Sequence, residues 1–363
     1  MPKKLGWSEN YKPDYCIEGD SLMQLQDGRI VSYNFRGLNT LTIYNPNTFQ
    51  NILSIDLYKF FKKEIDECET EDDLEKQNPI IELNNNLLLL GYYQLLFEIN
   101  LKEKTFESKI VYKSKEIIFT INLLSDKRIV LIEECNIEIL NKVNNEYILK
   151  EKSIIKDNWK MHPDSSDEFS YCYNFNQYYF SFELPNNRLM LNSFSTELKR
   201  RGHCGTHPPD EYITSKIIFI DLKNFEEIKT TKEFNVDAKS IVLEKIVIIQ
   251  ANKDIYIYDI NTLDVIKNIK LEDSYYYLTK YNNDYLIAYS EYEERNNLLI
   301  YKVEGNDLVK NLEVKNTFGF NQRIGYNFYP IYEYNNKFLF ALKDKRLIIL
   351  CHGAINILNL EIC

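Results

Sequence analysis

A tight polar turn followed by a run of consecutive apolar residues recurs seven times along this 363-residue chain. The turns centre on Asp27, Asn85, Asp126, Asn186, Glu244, Asn283 and Asp344. They lead into runs such as Leu87-Leu88-Leu89-Leu90, Ile129-Val130-Leu131-Ile132, Ile246-Val247-Ile248-Ile249 and Leu347-Ile348-Ile349-Leu350. A strand with one wet face alternates apolar and polar residues; one that is apolar throughout needs cover on both faces. A further strand closes each copy, at Tyr44-Asn45, Ile99-Asn100, Leu140-Asn141, Ile220-Asp221, Tyr258-Asp259, Tyr301-Lys302 and Leu358-Asn359. From turn centre to that last residue the separations are 18, 15, 15, 35, 15, 19 and 15. The stretch SDKRIVLIEECNIEILN, from Ser125, aligns without a gap on KDKRLIILCHGAINILN, from Lys343. Units that cannot bury their own apolar faces must stack on their copies, so the repeat predicts a radial or stacked array.

This unit resembles a WD-repeat blade, with Tyr-Asn, Ile-Asp and Tyr-Asp standing where that family's Trp-Asp dipeptide ends the third strand. No Gly-His pair precedes the first strand, and the chain has only 4 His and 2 Trp. The family's Asp-His-Ser/Thr-Trp hydrogen-bond network is therefore not encoded. The resemblance implies an all-β fold: a seven-bladed β-propeller of four-stranded antiparallel blades, one domain over residues 1–363. The blades are expected near 18–57, 78–113, 117–155, 177–234, 236–271, 275–315 and 337–363. A strand within 5–16 is expected to complete the last blade, closing the ring and removing an exposed edge. Rival all-β readings are a six- or eight-bladed propeller, or two stacked sandwiches.

Asn is plentiful and Gly scarce, at 11, so Asn is expected to take over turn positions that need positive φ. Net charge is −10, which argues against general attraction to nucleic acid or anionic membrane. The first residues lack a signal peptide's apolar core, and no apolar run reaches spanning length. Seven cysteines without paired spacing suit a reducing compartment. The expectation is a cytoplasmic protein, with the nucleus also open, either monomeric or one subunit of a larger complex.

In such blades the first-to-second and third-to-fourth turns share one end, and the remaining connections share the other. The long excursions, 58–77, 156–176, 196–214 and 316–336, all belong to the second set and so emerge on one face. Loops with room to vary carry function, so this is the expected partner-binding face. Leu57, Phe60, Phe61 and Ile65 fall at helical spacing and predict a short amphipathic helix on the rim. Beyond it lies an acidic stretch that includes Asp66, Glu69, Asp72 and Asp73. Lys199, Arg200 and Arg201 give the fourth blade the opposite polarity, beside His203 and His207, with Trp159 and His162 in the adjoining loop. Acidic and basic stretches of this kind suit docking of a charged protein partner.

His162, His203, Cys204 and His207 are the residue types that bind Zn²⁺, although adjacent His203 and Cys204 are awkward joint ligands. The alternative reading is therefore a small-molecule or metal-binding, hydrolytic propeller with its site near His162, His203 and His207. No nucleophile elbow, phosphate-binding loop, dinucleotide fingerprint, HExxH or EF-hand loop occurs. The favoured reading is a protein–protein interaction scaffold with no catalytic residues, cofactor or bound metal.

Overall fold

A computed structural model describes residues 15–16, 21–34, 40–68, 79–84, 86–133, 136–144, 146–154, 174–199, 210–235, 238–271, 276–290, 297–314, 339–341, 346–351 and 354–359. Strand β1 is Tyr15–Cys16. The first sheet then comprises β2 (Ser21–Gln24), β3 (Ile30–Asn34), β4 (Thr40–Tyr44) and β5 (Asn51–Asp56), followed by helix α1 (Leu57–Asp66). Sheet two holds β6 (Ile80–Asn84), β7 (Leu87–Tyr92), β8 (Leu95–Leu101) and β9 (Phe106–Lys113). Sheet three holds β10 (Thr120–Leu123), β11 (Ile129–Ile132), β12 (Asn136–Val143) and β13 (Glu146–Ile154). The fourth runs through β14 (Asn174–Leu184), β15 (Arg188–Lys199), β16 (Asp210–Asp221) and β17 (Glu227–Thr230). In the fifth lie β18 (Ala238–Val242), β19 (Ile246–Ala251), β20 (Asp254–Asp259) and β21 (Val265–Lys270). The sixth contains β22 (Tyr276–Lys280), β23 (Tyr285–Ser290), β24 (Asn297–Glu304) and β25 (Asp307–Val314). Last come β26 (Leu339–Ala341), β27 (Arg346–Cys351) and β28 (Ala354–Asn359), on which β1 pairs antiparallel, Tyr15 opposite Ile355 and Cys16 opposite Ala354.

Among the described residues these strands make seven four-stranded antiparallel sheets, each ordered first to fourth except that β1 supplies the outer strand of the last. The chain separates into two compact units, Met23–Ala238 and the combination of Met1–Leu22 with Lys239–Cys363.

Within Met23–Ala238 the apolar second strands explain the stacking. Leu88 and Leu90 of β7 sit in one core with Val31, Leu41 and Ile43 of the first sheet. The intervening Leu89 sits in another core with Ile129 and Leu131 of β11. Val130 and Ile132 then turn the other way, against Leu189 and Leu191 of the fourth sheet. Each such strand is thus buried on both faces, as its composition requires. The fourth strands are outermost and wet, with Ile52, Ile148, Ile228 and Val265 exposed. In the other unit, Ile246 and Ile248 of β19 share a core with Leu286 and Ala288 of β23.

The polar ends of the third strands have a local cause. Asn45, Asp221 and Asp259 each accept, through Oδ1, the amide two residues on, at 2.8 Å. Each also accepts, through its carbonyl, the amide of the fourth residue on: Phe49, Phe225 or Leu263, each 2.8–2.9 Å away. Those three hydrophobic residues have positive φ, 54°, 59° and 62°. The strand-ending Asn or Asp therefore clamps one recurring turn in which an apolar side chain folds back under the sheet. A register shift also falls on the third strand of sheets one to six, where it pairs with the fourth, the place for a bulge that adds twist. Strands β8, β12 and β24 continue one to two residues past the expected end.

Asn does replace Gly as expected: Asn86, Asn144, Asn186, Asn187 and Asn252 all have positive φ. The first-to-second turns also tie neighbouring sheets together. Arg29 donates to Asp27 and to Asn86 of the next sheet, and Gln26 N donates to Glu82 at 2.6 Å. The third and fourth sheets repeat this with Arg128 on Asp126 and Asn187, and Ser125 N on Glu183 at 2.7 Å. Gly91 interrupts β7 because a Cβ there would lie 2.9 Å from the Pro79 ring and 3.2 Å from Ile118.

Two substitutions test these causes. Asp259→Ala should cost about 1 kcal/mol by removing the side-chain acceptor of its turn. Gly91→Ala should cost about 1–3 kcal/mol through overpacking against a ring that cannot swing away. Urea denaturation of both variants checks the two values.

Candidate functional site

Connections between strands differ sharply by end. First-to-second and third-to-fourth links contain two to six residues throughout. The opposite end carries all the long ones: β5 to β6, β13 to β14, β15 to β16 and β25 to β26. The expected excursion 196–214 is shorter than its sequence suggests. Strands β15 and β16 extend into it as a hairpin in which Lys199 pairs with Asp210, leaving 200–209 as the connection. Likewise Asn174 and Phe175 belong to β14 rather than to the preceding loop.

The expected helix forms as α1. Asp56 caps it, accepting from Lys59 N at 3.1 Å, and Glu67 N donates to the Lys63 carbonyl at its end. Leu57 and Ile65 are buried, and the Phe61 ring meets Phe97 edge-on with centroids 5.0 Å apart. Phe60 departs from the expected stripe: it is 57% exposed and meets the Phe106 ring edge-on, with centroids 5.3 Å apart. The helix is kinked at Phe61 (φ −128°, ψ 32°). Beside it Lys59, Lys62 and Lys63 are exposed. Asp66 is exposed but engaged, accepting from Tyr58 Oη at 2.8 Å. Cys68 is buried, and burial pushes its thiol up.

Of the residues expected to form the partner surface, Asp66 and the backbone of Lys199 are placed by the structure. Trp159, His162, Arg200, Arg201, His203, His207, Glu69, Asp72 and Asp73 lie outside the described residues. Among the described residues no three His, Cys, Asp or Glu side chains converge as metal ligands, and no helix is long and apolar enough to cross a membrane.

One cluster went unnoticed in the sequence: a polar seam between sheets two and three. Glu98 on β8 is 8% exposed and faces Lys142 and Lys109, the latter at 3.2 Å, with Tyr147 Oη donating at 2.6 Å. Glu138, the corresponding residue on β12, is 2% exposed and accepts from Lys152 Nζ and Tyr112 Oη, each at 2.8 Å. The tyrosines cross the seam in opposite directions, Tyr147 from sheet three to sheet two and Tyr112 the reverse. Glu133, fully buried just after β11, accepts from Ser114 Oγ and lies 3.5 Å from Lys152. Glu133 and Glu138 thus share the one ammonium of Lys152.

These surroundings split the carboxyls. Burial alone would raise Glu98, but hydrogen bonds from Lys142, Tyr147 and Lys109 outweigh it and hold it below the ordinary range. Glu138 is likewise held down, by Lys152 and Tyr112 against burial. Glu133 is pushed up to about 7 by burial, with the Glu138 charge adding to the effect. Burial and an adjacent carboxylate also raise both tyrosine hydroxyls, so they stay protonated donors. Glu98 and Asn100 on β8, like Glu138 and Lys142 on β12, read in sequence as wet strand positions; the tyrosines one sheet away make the glutamates a seam.

No protein-family model and no curated protein matches the chain. Solved structures do. The β-propeller domain of Cps50 (Swd1) from Myceliophteria thermophila matches at TM-score 0.52 and 11% identity, over 95% of this chain and 97% of that one. A computationally designed protein, Ika8, matches at TM-score 0.50 and 10% identity, over 95% and 98%. A chain of the mitotic checkpoint complex matches at TM-score 0.39 and 8% identity, over 78% and 86%. The fold is a β-propeller of repeated four-stranded antiparallel sheets.

The seam predicts acid sensitivity of a stated sign. Glu98 and Glu138 have lowered folded-state values, so their contribution is complete above their ordinary 4.5 and is lost as pH falls through those lower values. The urea midpoint should therefore drop below pH 4.5, and drop less in Glu98→Gln, whose side chain carries no ionisable carboxyl. Tyr112→Phe and Tyr147→Phe should each cost about 1.5–3 kcal/mol, the worth of a hydrogen bond to a charged group.

Proposed function

We propose that the chain closes as a seven-bladed propeller and serves as a non-catalytic scaffold for protein partners, docking them on the face that carries the long connections. The observation that supports this most is the asymmetry of the links: short at one end of every sheet, long only at the other. Insertions placed at random among the links would fall on both ends. A ring stacks the sheets in chain order, which gathers those long links into one rim. Pairing of β1 on β28 suits closure at the termini, because it gives the last sheet its fourth strand.

The chemistry along this rim is charged and mixed. Exposed Phe60 stands among Lys59, Lys62 and Lys63, followed in sequence by the acids Glu69, Asp72 and Asp73. Lys199 ends the second strand of the fourth sheet, Arg200, Arg201, His203 and His207 follow it in sequence, and Trp159 and His162 fall between the third and fourth sheets. An exposed aromatic ringed by charge is a composition suited to a partner surface with polar edges. Opposite charges on separate loops favour a partner of matching polarity and fix its orientation more than they add affinity. The same arrangement fits a subunit held in a cytoplasmic or nuclear assembly.

Affinity purification from the native cell with mass spectrometry tests this reading. Partners should be recovered at low salt and weaken as ionic strength shortens the screening length to about 3 Å near 1 M. The double variant Arg200→Glu, Arg201→Glu should lose them while keeping the wild-type urea midpoint. Recovery of the same partners by that variant, with the same salt response, contradicts the proposal.

A further inference from the structure

We propose that Glu133 and Glu138 form a proton-held latch, which fixes the loop end of sheet three against sheet two and slackens when the proton leaves. At Glu98 one carboxylate meets two lysines, Lys109 and Lys142, so its charge is compensated in the ionised state. At the other end of the seam two carboxyls, Glu133 and Glu138, meet the single ammonium of Lys152. Two carboxyls nearly sealed from water face one ammonium that itself stays partly exposed, which leaves one buried negative charge unbalanced. A proton held on one of the two carboxyls removes it.

The groups facing Glu133 come from every element around it. Glu138 projects from β12 and Lys152 from β13, while Tyr112 of β9 lies close enough for its hydroxyl to feel the Glu133 charge. Ser114, in the link that leaves β9, donates to Glu133. None of these supplies a second positive charge. The position of Glu133 gives the proton its mechanical effect. It sits in the link between β11 and β12, where its amide donates to the Asn136 carbonyl at 2.9 Å. Ser114 belongs to the link from sheet two to sheet three, whose amides Ser114, Ile118 and Phe119 donate to Gln94, Tyr93 and Ile132, each at 2.8 Å. A protonated Glu133 therefore holds two links, from adjacent sheets, to one buried point.

The direction follows from linkage. In the opened state Glu133 is hydrated and ionises at its ordinary 4.5; in the closed state it holds its proton to about 7. Closure is fully supported below 4.5, weakens as pH rises from there to about 7, and changes no further above. Glu138 is ionised in both states across that window and adds no slope. The latch is thus tight in mild acid and loose at neutral pH, whatever partner the rim binds. The proton passes to solvent, and no other group changes charge.

Amide hydrogen exchange on the full chain tests this, with each rate divided by its intrinsic rate at that pH. Between pH 5 and 7 the opening constant at Ser114, Ile118 and Glu133 should rise by up to about tenfold per pH unit, the slope of one linked proton, then level off. The Leu124 amide, in the turn at the other end of sheet three, should show no such rise. Glu133→Gln, permanently neutral, should abolish the slope. Glu138→Gln, which removes the opposing charge, should shift the rise to lower pH, and it decides the matter if Glu133→Gln does not fold. A flat wild-type profile, an equal rise at Leu124, or an unchanged profile in the variants overturns the proposal.

Discussion

Alternate side chains of a single strand enter the cores of two different neighbours, and the rest of the architecture depends on that. Leu88 and Leu90 belong to the core shared with the first sheet, Leu89 to the core shared with the third. Such a strand has no wet face, so a sheet built around it cannot stand alone. It must be stacked between two others, and each of those needs its own neighbour. Repetition is therefore a consequence of burial rather than an addition to it. Among the described residues the fourth strands carry most of the exposed large apolar side chains, Ile52, Ile148, Ile228 and Val265 among them.

Not every contact between sheets is apolar. The turns of sheets one and three reach the next sheet through an Arg–Asn bond and a backbone amide held by a glutamate. Sheets two and three are joined by carboxylates, lysines and tyrosines as well as by leucines. Buried charges stabilise less than apolar packing of the same volume, yet they are specific about register. Crossed Tyr–Glu bonds at two equivalent positions allow only one lateral alignment of the two sheets. The polar seam thus sets which residues oppose one another, and the apolar cores supply most of the driving force.

Much of the fold was legible because its signals are local. In six of the seven copies the turn lies no more than 19 residues from the closing residue, and the Asx clamp at Asn45, Asp221 and Asp259 gives a closing Asn or Asp a physical role. The helix was legible from the spacing of Leu57, Phe61 and Ile65. Its kink at Phe61 and the exposure of Phe60 were not, since nothing in the sequence announces either. The length of the β15–β16 hairpin was also hidden: Lys199 and Arg200 read as loop residues, yet Lys199 pairs with Asp210. The seam was least legible. Its partners are separated by 26 residues for Tyr112–Glu138 and 49 for Tyr147–Glu98, and each glutamate alone looks like one exposed position of a strand.

An alanine scan along β11, read by equilibrium unfolding, tests the central claim most directly. If both faces of this strand are buried, Ile129→Ala, Leu131→Ala and Ile132→Ala should each cost about 2–5 kcal/mol, and Val130→Ala a comparable share for its smaller side chain, with no alternation. A two-residue period, with every second substitution costing less than about 0.5 kcal/mol, would show a strand with one wet face and contradict the account.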